Sequence, residues 1–144
     1  MKILEIVMLV FISIELANVV ILYYFPRSKK GNGVAIFNAY HRAQEDEEMA
    51  LFANYMKNWV AGTKLIFIVL IVVILLFGND LVKLFGVFSM ILSILTYYFK
   101  LHPIIKRLDQ MNAITPKGYS KTLGYMITGI LVMFIIPLCL YFLN

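Results

Sequence analysis

Four long apolar runs, at residues 3–25, 59–77, 81–99 and 122–143, dominate the chain. Each has roughly the 20 residues that carry a helix across ~30 Å of hydrocarbon. The runs are continuous rather than alternating, and four strands cannot close a barrel in lipid, so strands are excluded. The pattern predicts an all-α integral membrane protein, a four-transmembrane-helix bundle in a single membrane domain over 1–144. The first run is expected to be a span rather than a signal peptide. It is too long for an apolar signal core, lacks a small-x-small cleavage site, and has its basic flank (Arg27, Lys29, Lys30) after the apolar part.

Two polar connections, 26–58 and 100–121, separate the runs. In the first, Gly31-Asn32-Gly33 signals a turn. Beyond it no Pro or Gly occurs until Gly62, and Phe37, Tyr40, Leu51, Phe52, Tyr55, Met56 and Trp59 recur at helical spacing. A helix is therefore expected from about residue 34, running into the second span and either standing clear of the membrane or bending near Gly62. In the second connection, His102-Pro103 should break or bend the third span. Leu101, Ile104, Ile105, Leu108 and Met111 then fall on one helical face, predicting an interfacial amphipathic helix or a cap on the bundle. Thr115-Pro116-Lys117-Gly118 reads as a turn.

Composition agrees with lipid as the solvent. The chain is 62% hydrophobic and 15% charged, with a mean hydropathy of +0.86. A soluble domain of 144 residues could not hide that much apolar surface. One cysteine, Cys139, excludes an internal disulfide framework.

The distribution of charge matters more than the net +5. Eleven basic residues follow spans one and three, including Arg27, Arg42, Lys57, Lys64, Lys100 and Arg107, whereas the other side holds only Lys2 and Lys83. The positive-inside rule places both large connections in the cytoplasm and both termini on the non-cytoplasmic side, with the plasma membrane the expected location. Anionic lipid head groups are the expected partners of the basic face. Tyr23, Tyr24, Trp59, Tyr97, Tyr98, Tyr119 and Tyr125 are expected to form an aromatic belt at that face, with Tyr141 at the other.

Several polar residues could carry chemistry. Glu15 lies near the middle of span one, where a charge costs at least ~2.5–3.5 kcal/mol, so it should face protein or water. It shares a face with Glu5, Met8, Ile12 and Val19, and Asn18 is one turn away. One reading is a proton, cation or ligand site. The other is a structural residue hydrogen-bonded between helices. Ser89, Ser93 and Thr96 continue from Gly86 as a stripe on span three, either a close-packing face or a polar lumen wall. Ser120, Gly124 and Thr128 form a comparable packing face on span four. His41, Glu45 and Glu48 would share a helical face at i, i+4 and i+7, a spacing able to hold a divalent metal, although ordinary i, i+4 pairing and a solvated charge run explain the same residues. Arg42, Lys64 and Lys100 could contact an anionic ligand. No phosphate-cradling glycine loop, Ser-His-Asp arrangement, zinc-hydrolase motif or nucleic-acid signature is present, and these residues leave any cofactor unknown.

Segment 37–62 resembles in part the second helix of the membrane-associated eicosanoid and glutathione metabolism family. The likeness rests on Phe37, Arg42-Ala43-Gln44 and Trp59-Val60-Ala61-Gly62, with Tyr97-Tyr98-Phe99 and Thr115-Pro116 before Gly118-Tyr119 as further points. It implies a trimer binding glutathione at the membrane edge, with Arg42 a candidate contact. A bare acidic run stands where the family has Asn and Glu, and Lys100 is the nearest basic residue to its third-helix arginine. Three functions follow from the sequence as alternatives: a small oligomeric transport or pore-forming protein using Glu15, Asn18 and the span-three stripe, a membrane enzyme acting on a lipophilic substrate, and a non-catalytic accessory subunit of a larger complex.

Overall fold

The computed structural model describes residues 2–29 and 33–143; Lys30 and the Gly31-Asn32 part of the expected turn lie outside the described residues. Six α-helices follow one another there: α1 (Lys2–Tyr24), α2 (Asn38–Ala43), α3 (Glu47–Phe77), α4 (Asp80–Lys100), α5 (His102–Gln110) and α6 (Tyr119–Leu143), with a 3-10 turn over Val34–Ile36. Four long helical stretches, built on α1, α3, α4 and α6, are long and apolar enough to cross a bilayer. They run alternately up and down. One end of the bundle carries the start of α1, the end of α6 and the tight Gly78-Asn79 link; it is called the terminal end here. The other, the connection end, carries residues 25–46 and 101–118.

Local chemistry sets the helix limits. Asn79 caps α4 by accepting from the Val82 amide at 2.9 Å, which turns the chain sharply after Phe77. Asp46 caps α3 in the same way, accepting from Met49 N at 2.8 Å, with Glu47 and Glu48 in the favourable first turn. This cap corrects the expected helix from residue 34. The chain instead makes the 3-10 turn and α2, is interrupted at Gln44–Asp46, and restarts at Glu47. Once started, α3 runs unbroken across Gly62 for 31 residues, about 46 Å at ~1.5 Å per residue. Pro103 in the first turn of α5 ends α4 as expected, because it has no N–H to donate back.

Packing divides the bundle in two. In the terminal half, Leu4, Met8, Phe11, Val87 and Phe134 are 0–4% exposed and form one apolar core. Phe11 meets Phe134 edge-on at 5.2 Å. The face expected from Glu5, Met8, Ile12, Glu15 and Val19 does point inward: Met8 and Val19 are buried, Ile12 packs on the core, and both acids meet lysines of other helices.

At the connection end a second cluster, including Ile36, Ile105, Ile114 and Tyr119, caps the bundle. Its two strands of connecting chain are stitched together. Thr115 N donates to Ile36 O at 2.8 Å and Asn38 N to Ala113 O at 2.9 Å. The Asn38 side chain adds bonds to Asn112 O and from Thr115 Oγ1, both at 2.9 Å. Asp109 joins α5 to α6, accepting from Ser120 Oγ at 2.6 Å, Gly118 N at 2.9 Å and Ser120 N at 3.0 Å. Gly118 sits at φ +80, where a glycine is favoured.

The aromatic residues expected to form a belt divide by exposure. Tyr23, Tyr24, Trp59 and Tyr125 are exposed. Tyr97 and Tyr119 are buried instead, because they complete the connection-end core, and Tyr98 bonds Thr128 Oγ1 of α6 at 2.6 Å. Outside these contacts the helices present apolar surface: only 17–28% of each apolar window is buried.

Candidate functional site

Between the two cores α3 stands away from α4 and α5, leaving a cavity of about 600 Å³. That volume is in the ~300–1,000 Å³ range of small-molecule sites. Ala53, Met56, Lys57, Val60 and Lys64 of α3 form one wall. Ser93, Ile94, Thr96 and Tyr97 of α4, with Leu101, Ile104, Ile105 and Leu108 of α5, form the other. Leu22 of α1 and Leu123 and Ile127 of α6 make the floor. Val60, Thr96, Leu101 and Ile104 at the rim are exposed, so the cavity opens sideways between helices. A second cavity of about 330 Å³ continues between α3 and α4 toward the terminal end, and Ser93 lines both.

Two lysines enter the larger cavity and differ in state. Lys64 donates to Glu15 Oε2 of α1 and forms an ion pair with it. The two side chains are 24% and 14% exposed, so the pair is largely withdrawn from solvent. Lys57, two turns earlier on α3, is 9% exposed. It has no acidic partner and no hydrogen bond among the described residues. Tyr97 on the opposite wall is 6% exposed, and its hydroxyl is a sealed polar atom without a hydrogen-bond partner among the described residues. A buried hydroxyl left unpaired calls for an explanation, since desolvation is not repaid.

The residues singled out in the sequence are distributed unevenly around this site. Glu15 reaches it through Lys64, and half-buried Asn18 lies one turn further along α1. The span-three stripe faces the fissure: Ser89 lines the smaller cavity, Thr96 the larger and Ser93 both. The span-four stripe is a packing face, as expected, with Ser120 on Asp109, Gly124 against His102 and Thr128 on Tyr98.

Arg42 and Lys100 are exposed and do not line the cavity, so the three basic residues expected to share an anionic ligand are not brought together. The premise for a metal at His41, Glu45 and Glu48 is also corrected. The break at Gln44–Asp46 removes their common helical face, and His41 Nε2 lies 2.9 Å from Ala35 O. Among the described residues no group of three or more His, Cys, Asp or Glu side chains could hold a metal ion.

Lys57 and Tyr97 were not picked out by the sequence reading. A signal was available for the first: Ala53, Lys57, Val60 and Lys64 recur at four, three and four residues, putting a lysine in the middle of a small, apolar helical face. The fold and site together define an all-helical bundle, with four helices long and apolar enough to cross a membrane and a lateral, lysine-bearing cavity. Comparison with known protein families, with curated proteins and with solved structures finds no match to this chain, and the partial resemblance of 37–62 gains no support from them.

Proposed function

We propose that this chain is an integral membrane protein that takes a lipophilic molecule from the bilayer into the cavity between α3 and α4/α5. The carrying observation is the asymmetry of the bundle. Its terminal half is built around an apolar core that leaves only the smaller cavity of about 330 Å³ on its α3–α4 side, while its connection half holds the larger, sideways-opening cavity among apolar, outward-facing helix surfaces. A guest arriving in the plane of the membrane meets the rim directly. Its tail would replace the contacts that the splayed helices forgo.

This reading is preferred to conduction of a small solute through one copy, because such a path would have to pass Leu4, Met8, Phe11 and Phe134. It is also preferred to acid–base catalysis. The cavity wall has two lysines and three hydroxyl-bearing residues but no acid, histidine or cysteine among its lining residues.

Native mass spectrometry of the protein released from its own membranes in mild detergent tests the proposal. One lipid-like adduct per chain is expected, and Ala53→Phe, which fills the cavity wall, removes it. A bare wild-type chain, or an adduct unaffected by the substitution, would count against the cavity as the binding site.

A further inference from the structure

We infer that the guest is an acidic amphiphile, held by a single anionic head group on Lys57, with its tail in the α3–α4 fissure. This assignment rests on the cavity reading above and adds the chemistry of the ligand.

The case begins with the partners of the charged side chains. The chain has eight acids. Glu15 is taken by Lys64, Glu5 by Lys83 at 2.6 Å, and Asp109 by Gly118 and Ser120. Asp80 stands at the terminal end of the bundle, away from the cavity, and Glu45, Asp46, Glu47 and Glu48 are exposed around the start of α3. None reaches Lys57, although that side chain is nine-tenths buried in a largely apolar wall. Its ammonium is a cation in the cavity wall without a counter-charge among the described residues, and an incoming anion supplies one. Lys64 is already neutralised, so the cavity offers one uncompensated positive charge and matches one negative charge.

Geometry places the head and tail. Lys57 precedes Trp59, where the apolar stretch of α3 begins, so a head group on it stands at the polar edge of that stretch. From there the wall continues past Val60 and Lys64 in the larger cavity to Phe67 and Ile74 in the smaller one, with Ser93 common to both. That is a run of about 25 Å along α3 at ~1.5 Å per residue, enough for a long alkyl chain.

The test compares hexadecanesulfonate, which is permanently ionised, with hexadecanol and with inorganic phosphate, binding each to the full chain in a neutral detergent. Wild type should bind the sulfonate about tenfold or more tightly than the alcohol, as one charge-assisted contact would give. Lys57→Met should bring the two within about twofold, by weakening the sulfonate and leaving the alcohol unchanged. Lys57→Arg should keep the preference. Lys57→Met should also leave the melting temperature of the empty protein no lower than that of wild type, which separates loss of the head-group contact from misfolding.

Equal binding of sulfonate and alcohol to wild type, or a preference that survives in Lys57→Met, would overturn the head-group assignment while leaving the cavity reading intact. Failure of both amphiphiles to bind would overturn both. Phosphate competing as well as the sulfonate would replace the amphiphile with a small anion.

Discussion

At the scale of single residues, the most informative pairing joins Glu15 to Lys64. The sequence made Glu15 conspicuous, because a carboxylate amid apolar residues must face something polar. It did not show the partner, since Lys64 is 49 residues away and stood with the basic residues assigned to the connection side. Pairing converts two expensive charges into one neutral unit that ties α1 to α3. Removing one partner leaves the other uncompensated, which is worse than removing both. Lys64→Met and Glu15→Gln should therefore each destabilise the protein by roughly 1–3 kcal/mol, with the double variant less destabilised than their sum by about 0.5–3 kcal/mol. Equilibrium unfolding of the four proteins in mixed micelles measures this, and strict additivity would show that the pair contributes nothing. The sequence reading missed Lys57 for a related reason: a lysine looks solvated until the walls around it are known.

At the scale of elements, three of the four long apolar helices were legible to within three residues at either end. Expected spans 3–25, 81–99 and 122–143 became Lys2–Tyr24, Asp80–Lys100 and Tyr119–Leu143, because continuous apolar runs leave little choice in lipid-like surroundings. The start of α3 was misplaced by ignoring a local signal. Asp46 followed by Glu47 and Glu48 is a helix-start pattern, stronger than the absence of Pro and Gly upstream.

Another junction, from α5 to α6, depends on Asp109. The hydrogen bond from Ser120 Oγ, helped by the Gly118 and Ser120 amides, holds its carboxyl below the usual carboxylate range against the opposing effect of burial. A group depressed in the folded state contributes stability that is fully present above its unfolded pKa and fades as pH falls through the folded one. Wild type should thus lose an increment of thermal stability on acidification below the usual carboxylate range that Asp109→Ala does not show. At neutral pH the variant should be less stable by about 0.5–2 kcal/mol, as for loss of a helix cap. Parallel melting curves of the two proteins that stay equally spaced across that range would refute the role.

At the scale of the whole molecule, the cavity was invisible in the sequence. It lies between the core that joins α1, α4 and α6 in the terminal half and the cluster that caps the connection end, where α3 faces α4 and α5 across the cavity. No periodicity encodes that separation. It did leave a trace in the Ser89, Ser93 and Thr96 stripe, which could mean close packing or a polar wall and which proves to face the fissure. The orientation expected across a membrane still rests on the basic residues alone, which cluster at the connection end with Lys57.

The central claim, that a membrane amphiphile occupies this fissure head-first at Lys57, is tested most directly by photo-crosslinking. The protein would be reconstituted with an acidic single-chain lipid carrying a diazirine midway along its tail, and the labelled peptides mapped. Adducts concentrated on the α3 and α4 walls around Val60, Lys64 and Ser93, and competed away by the unlabelled acid, are the predicted result. Labels scattered over the outward faces of all four long helices, without competition, would contradict it.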